Sequence, residues 1–331
     1  MKYIFKNMSK NILITGGYGF IGTNFVKHLL KSSDYNITVF DKLTYASNIK
    51  NLEKENIKFI KGDLYNKNDV KSAINNTDYI VNFAAESHVD RSIINADDFL
   101  NSNIYGVYNI LNYIKENKNI EKFIHISTDE VYGNAINTTF SENSCLNSNN
   151  PYSATKASAD LLIMSYYKTY KIPVCITRSS NNYGPYQHPE KLIPKTIIYS
   201  ILNRKIPLYG NGENTRDWLY VEDNVNGILN ILIHGKNGEI YNIGSEIELS
   251  NIDIVRKILK FMDKPESLIN YVNDRPGNDL RYSMDSSKVM KLGFKPKIDI
   301  DNGLKKTINW YENNREWWSG YLDNIDLFNR F

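Results

Sequence analysis

The chain of 331 residues has room for one large α/β unit and a smaller companion. Its 40 Lys and Arg against 37 Asp and Glu give a formal charge of +3 with no basic tail, which argues against nucleic acid as a partner. Cys145 and Cys175 share no metal-ligand spacing with histidine, so neither a disulfide framework nor a metal site is expected. No run of about 18 apolar residues occurs, and the opening MKYIFKNMSKNILITGG lacks a signal-peptide core. The expectation is a soluble cytoplasmic protein with no membrane partner, with Met8 offering an alternative start.

Short β-branched runs recur in chain order: NILITGG, NITVFD, IKFIKGD, DYIVNFAA, KFIHIS and IPVCITR. Periodic stretches of mixed polarity separate them, which predicts βαβ units and an α/β, Rossmann-type doubly wound parallel sheet covered on both faces. After Arg178 the rhythm changes. NNYGPYQHPEKLIP, PLYGNGENTRDW and DRPGND are rich in Gly, Pro, Asn and Asp and read as long loops over a site. Helices are expected again from Val221 to His234, Asn251 to Met262 and Asp301 to Asn314, and EIYNIG, Glu239 to Gly244, reads as one more sheet strand. The expected division is interleaved: residues 9–178 with roughly 217–245 make the larger, cofactor-binding unit, and 179–216 with 246–331 a smaller C-terminal α/β unit for substrate. The closing GYLDNIDLFNRF is too irregular to assign.

ITGGYGFIG follows the first strand and opens a helix, so Gly16, Gly17, Gly19 and Gly22 meet the Gly-rich dinucleotide pattern in its proper context. Glycines permit the tight turn and the approach of a pyrophosphate, whose charge the helix N-terminus stabilises. Asp41 ends the second strand, where a carboxylate accepts from an adenosine ribose. It favours NAD over NADP, whose 2′-phosphate it would repel, and neighbouring Lys42 offsets part of that repulsion. Asp63 and Leu64 fall near an adenine, and the small Ala84 and Ala85 let the cofactor pass.

In NPYSATKASADLL, Tyr152 and Lys156 stand four apart at the start of a helix, on one face. An ammonium beside a phenol favours the phenolate, which a base at neutral pH requires. With the glycine turn, this Y-x-x-x-K pair resembles the extended short-chain dehydrogenase/reductase family over nearly the whole chain. The resemblance implies Tyr152 as base on a substrate hydroxyl, Lys156 on the nicotinamide ribose, and Thr128 completing the set. It extends the cofactor contacts to Phe20, Ile21, Leu43, Thr44, Phe83, Ser87, Ser102 and Asn182.

HISTDEVYG leaves two adjacent carboxyls, Asp129 and Glu130, that alcohol oxidation alone does not use. A ketone at carbon 4 of a sugar acidifies the hydrogen on carbon 5. One carboxylate can then remove that hydrogen while one carboxylic acid protonates the hydroxyl leaving carbon 6, after which the hydride on NADH returns to carbon 6. Adjacent carboxyls push their proton affinities apart, as an acid and base pair requires. AAESHVDRSI, STDEVYG, NPYSATKA, SNNYGPYQHPEKLIP, PLYGNGENTRDWLYVED, YNIG and DRPGND together closely resemble the nucleotide-sugar 4,6-dehydratases, those acting on dTDP-glucose above all. That resemblance implies Asp129 as acid and Glu130 as carbon-5 base. It also implies substrate contacts at Ser87, Thr128, Asn181, Lys191, Leu192, Pro207, Tyr209, Arg216, Asn251 and Arg275, and a homodimer through the helix bearing Tyr152 and the one before it.

Three positions depart from the family's pattern. Asn278 stands where a histidine is usual beside the nucleotide, Tyr18 occupies a place in the glycine turn that is normally small, and Ser102 replaces a threonine. UDP-glucose or a UDP-linked 2-acetamido sugar therefore stays open as substrate, as does 5-epimerisation. From a different class, an NAD-sensing module without chemistry would share the fold but has little reason to keep Tyr152 with Lys156.

Overall fold

A computed structural model describes residues 9–322, so Met8 and most of the closing segment lie outside the described residues. The strands in chain order are β1 (Asn11–Thr15), β2 (Asn36–Asp41), β3 (Lys58–Lys61), β4 (Tyr79–Asn82), β5 (Lys122–Thr128), β6 (Val174–Ser179), β7 (Asn181–Tyr183), β8 (Ile206–Tyr209), β9 (Thr215–Tyr220), β10 (Ile240–Ile243), β11 (Glu248–Ser250) and β12 (Ile269–Val272). The helices are α1 (Phe20–Ser32), α2 (Lys67–Ile74), α3 (Val89–Ile94), α4 (Asp97–Phe99), α5 (Gly106–Glu116), α6 (Pro151–Tyr170), α7 (Leu192–Ile201), α8 (Val221–His234), α9 (Asn251–Phe261), α10 (Ser287–Met290), α11 (Ile300–Asn313) and α12 (Arg315–Ser319). Among the described residues no helix is long and apolar enough to cross a membrane.

Seven strands form one parallel sheet in the order β10-β6-β5-β4-β1-β2-β3, the doubly wound arrangement expected from the alternating pattern. Alternate residues of β1 serve opposite faces, as the strand period of two dictates. Ile12 and Ile14 pack with Phe25, Val26 and Leu29 of α1 and Ile228 and Ile231 of α8. Leu13 packs on the other side with Ile110 of α5 and Ile163 of α6. Because both faces are covered, the strands read as nearly continuous apolar runs.

A second cluster joins Ile193 and Ile197 of α7, Ile254 and Ile258 of α9, Leu208 of β8, and Leu304 and Tyr311 of α11. Beside it lie a three-stranded sheet, β11-β9-β7, and the parallel pair β12-β8. The chain enters this region after β6, returns through α8 and β10 to the large sheet, then leaves again. The stretch from 179 to 216 is thus more regular than its loop-like composition suggests, since it holds β7, α7 and β8. Seven of the ten residues of α7 are buried, so LIPKTIIYSI shows no polar face from which a helix could be read.

Candidate active site

The parallel strands aim their C-terminal ends at one edge, and there the glycine turn sits between β1 and α1. Gly16 has φ +69°, and a Cβ on it would lie 2.5 Å from the Ala84 nitrogen. A Cβ on Gly22 would overlap the Gly16 carbonyl oxygen. Gly19 caps α1 with no side-chain bond, and the first-turn amides that follow, at Phe20, Ile21 and Gly22, have no acceptor within the helix. All four residues line a cleft that continues past Asp41, Lys42 and Thr44, then Asp63 and Leu64, then Phe83, Ala84 and Ala85, and on to Ser87, Ser102, Tyr152 and Lys156. The cleft thus joins a turn of free amides, suited to an anion, with the Asp41 carboxylate, and its residues fit NAD.

Asp41 is buried, and burial raises its proton affinity while three donors lower it: the amides of Tyr18 (2.9 Å) and Leu43 (2.8 Å) and the Ser47 hydroxyl (3.1 Å). Lys42 is turned to Asp63 at 2.8 Å, so its charge is engaged away from Asp41. Tyr18 does not crowd the turn. Its ring lies in the core, edge-on to Phe59 with centroids 4.9 Å apart. Leu43, at φ +59°, packs against the core rather than lining the cleft, and the Asn182 amide on β7 donates to the Ser180 carbonyl. Ser102 lies in a π-helical turn, Leu100–Tyr105, an irregularity often found at functional sites.

Tyr152 and Lys156 ride on the first turns of α6, which Asn150 begins with a reciprocal capping box and Pro151 at the first helical position. Lys156 is fully buried and donates to the Ile126 carbonyl at 2.6 Å. Burial lowers its pKa to about 8, against an upward pull from Asp160. The Tyr152 phenol is pushed upward, first by burial and then by Glu130, with Thr128 opposing. The chain's own groups thus hold the phenol up, and the Lys156 amine bonds the carbonyl of Ile126 and faces His125.

Thr128 ends β5, and Asp129 and Glu130 follow in a short 3₁₀ turn. The two carboxyls differ. Asp129 is buried, accepts from the Thr128 hydroxyl at 3.2 Å, and has its Oδ2 buried without a partner. Burial, then Glu130 and Asp217, push it well above the usual carboxylate range. Glu130 is only partly buried, accepts from Asn150 at 3.4 Å, and lines a second cleft.

That second cleft adjoins the first at Ser87 and Lys191. It gathers Asn181, Leu192, Pro207, Tyr209, Arg216, Asn251, Arg275 and Asn278, residues far apart in sequence. Arg216 is held by the Asp279 carbonyl at 2.8 Å and by Asn278 at 3.3 Å, and stacks 4.1 Å over Tyr282. Arg275 pairs with Asp90 at 3.0 Å and keeps a buried Nε without a partner. Asp90 also accepts from the Tyr209 hydroxyl at 2.9 Å, tying α3 to β8. Sequence reasoning passed over Asp90 although it lies inside AAESHVDRSI, because nothing local marks a carboxylate that pairs 185 residues away. It likewise passed over Glu190, buried between His88 and His188 with Tyr45 donating at 3.2 Å.

The family model described as GDP-mannose 4,6 dehydratase matches residues 13–307. The chain belongs to that family. A dTDP-glucose 4,6-dehydratase of Escherichia coli is 42% identical, the match covering 94% of this chain and 96% of that protein. The low-salt glycan biosynthesis protein Agl12 of Haloferax volcanii is 45% identical over 91% of this chain and 98% of its own. Among solved structures of family members, a dTDP-glucose 4,6-dehydratase from Streptomyces venezuelae with NAD bound superposes with a TM-score of 0.91 at 41% identity, covering 94% of this chain and 99% of that one.

Proposed function

We infer that this chain is an NAD-dependent hydro-lyase that converts a nucleotide-linked hexose, with dTDP-glucose as the leading substrate, to its 4-keto-6-deoxy derivative and water. The observation that carries the reading is the unequal carboxyl pair, a buried Asp129 of raised proton affinity beside a Glu130 open to the second cleft, next to Tyr152 and Lys156. The cleft from Gly16 to Lys156 would hold NAD, which would supply the hydride acceptor for carbon 4, the hydride donor for carbon 6, and a cationic ring favouring the Tyr152 phenolate that burial opposes. Tyr152 accepts the proton of the carbon-4 hydroxyl, with Thr128 holding that oxygen. Glu130 removes the carbon-5 proton, Asp129 delivers its proton to the carbon-6 hydroxyl that departs as water, and once the hydride has reached carbon 6 Glu130 returns a proton to carbon 5. In the second cleft, Arg275 with its free Nε and Lys191 serve the diphosphate, while Tyr209 and Asn278 border the base.

The working division of labour puts the cofactor on residues 9–178 with roughly 217–245, and the nucleotide sugar on 179–216 with the remainder. A homodimer through α5 and α6 is supported by two apolar side chains that α6 turns outward, Leu161 and Tyr170. Action in the cytoplasm agrees with the two unpaired thiols, Cys145 and Cys175. The direct test is incubation with a panel of dTDP- and UDP-linked hexoses, reading the alkali-induced absorbance of a 4-keto-6-deoxy sugar and identifying the product. No product from any donor would favour an NAD-binding module without chemistry.

A further inference from the structure

Three neighbouring strands carry a polar residue at the same level. Thr15 on β1 is in register with Asn82 on β4, and Asn82 is in register with His125 on β5. All three are buried in the centre of the sheet, a place where apolar side chains pack without needing partners. At the same level β2 has Phe40 and β6 has Ile176, so the polar row begins at Thr15 and stops at His125. It is hydrogen-bonded along its length. Thr15 Oγ1 donates to Asn82 Oδ1 at 2.5 Å, Asn82 Nδ2 faces His125 Nδ1 at 3.1 Å, and His125 Nε2 faces Lys156 Nζ at 3.3 Å.

Donor and acceptor chemistry gives the row a direction. With its oxygen occupied by Thr15, the Asn82 amide donates to His125 Nδ1, and the imidazole proton then sits on Nε2, aimed at the lysine. An N–H facing a nitrogen is favourable only where that nitrogen has a lone pair, which the neutral amine has and the ammonium lacks. The other Lys156 contact, to the Ile126 carbonyl, is donated by either form.

We propose that His125, oriented by Asn82 and Thr15, is a positioning residue for Lys156 that fixes the place of its Nζ and works against its charged form. The proposal rests on the reading of Lys156 as the partner of Tyr152 and of the nicotinamide ribose. One other charged group bears on the lysine. Asp160, one turn further along α6, favours the ammonium but is engaged by Arg178 of β6 at 2.9 Å. The His125 imidazole is held well below its ordinary range, by burial and then by Lys156, so it acts through its hydrogen bond and not through a charge of its own. The row thereby couples the strand that carries the glycine turn to the amine that the turn's cofactor would meet.

The test follows the lysine itself. In the full chain carrying lysine labelled with carbon-13 at the ε position, the Lys156 signal, assigned by its loss in Lys156→Arg, is titrated by NMR without substrate. His125→Phe keeps a ring but removes the facing N–H, and the midpoint is expected to rise by about one pH unit, a tenfold gain in proton affinity. Thr15→Val, nearly isosteric, frees the Asn82 amide to turn and is expected to give a smaller rise in the same direction. An unmoved midpoint in both variants would reduce the row to core hydrogen bonding, and a fall would mean that His125 accepts from the ammonium; either result overturns the proposal. Because no substrate is present, the titration can fail while the dehydratase reading stands, and absence of dehydratase product can fail that reading while the titration stands.

Discussion

Asp129 and Glu130 are neighbours in sequence with unlike surroundings, and the reaction proposed for them needs that difference. The adjacency was legible from HISTDEVYG alone. The asymmetry was not, because it comes from Asp129 being buried near Asp217, which β9 brings from almost ninety residues away. Glu130→Gln keeps the side chain's size but cannot take a proton, so carbon-4 oxidation should persist while solvent deuterium uptake at carbon 5 falls by roughly 10²–10⁴-fold. Uptake at the native rate would remove Glu130 from that role. The role proposed for Lys156 carries a pH dependence. Its charge is present below about 8 and lost above it, so the oxidation step should weaken as pH rises through that value. In Lys156→Ala the phenol lacks that cation, and the profile of the oxidation step should move to higher pH; an unmoved profile would mean that Tyr152 is tuned by other groups.

At the scale of elements, the sequence showed most clearly what repeats locally. The six β-branched runs became β1 to β6, and α8 spans Val221–His234 as its periodicity predicts. The helix α7 escaped because it is buried almost all round, and β7 because three residues carry too little pattern. Asn150 links an element to the chemistry, since it caps α6 through the Ser153 amide at 2.9 Å and also donates to Glu130. Asn150→Ala should lower stability by about 1 kcal/mol in denaturant unfolding and lower turnover as well, whereas Asn150→Asp should restore the cap but place a like charge beside Glu130. Native turnover in both variants would separate Asn150 from the site. The glycine turn allows a sharper expectation. Gly22→Ala forces a methyl onto the Gly16 carbonyl, so cofactor retention through gel filtration should drop.

At the scale of the molecule, the chain's path brings Glu130, from the first half, into one cleft with Arg216 and Arg275 from the second. Such long-range meetings are invisible to periodicity, which explains why the cleft's residues were identified through family resemblance and Asp90 was passed over. The outward Leu161 offers a test of assembly. If the chain pairs through α5 and α6 as proposed, Leu161→Lys should halve the mass seen in light scattering while leaving the secondary structure unchanged, and a species of native mass would exclude α6 from such a contact. In the proposed reaction one hydrogen leaves carbon 4 and comes back, within the same sugar, at carbon 6. Nucleotide-linked glucose deuterated at carbon 4 should yield a 4-keto-6-deoxy product with the deuterium in its methyl group; a 4-keto-6-deoxy product whose methyl group carries no deuterium, the label having passed to solvent, would rule that transfer out.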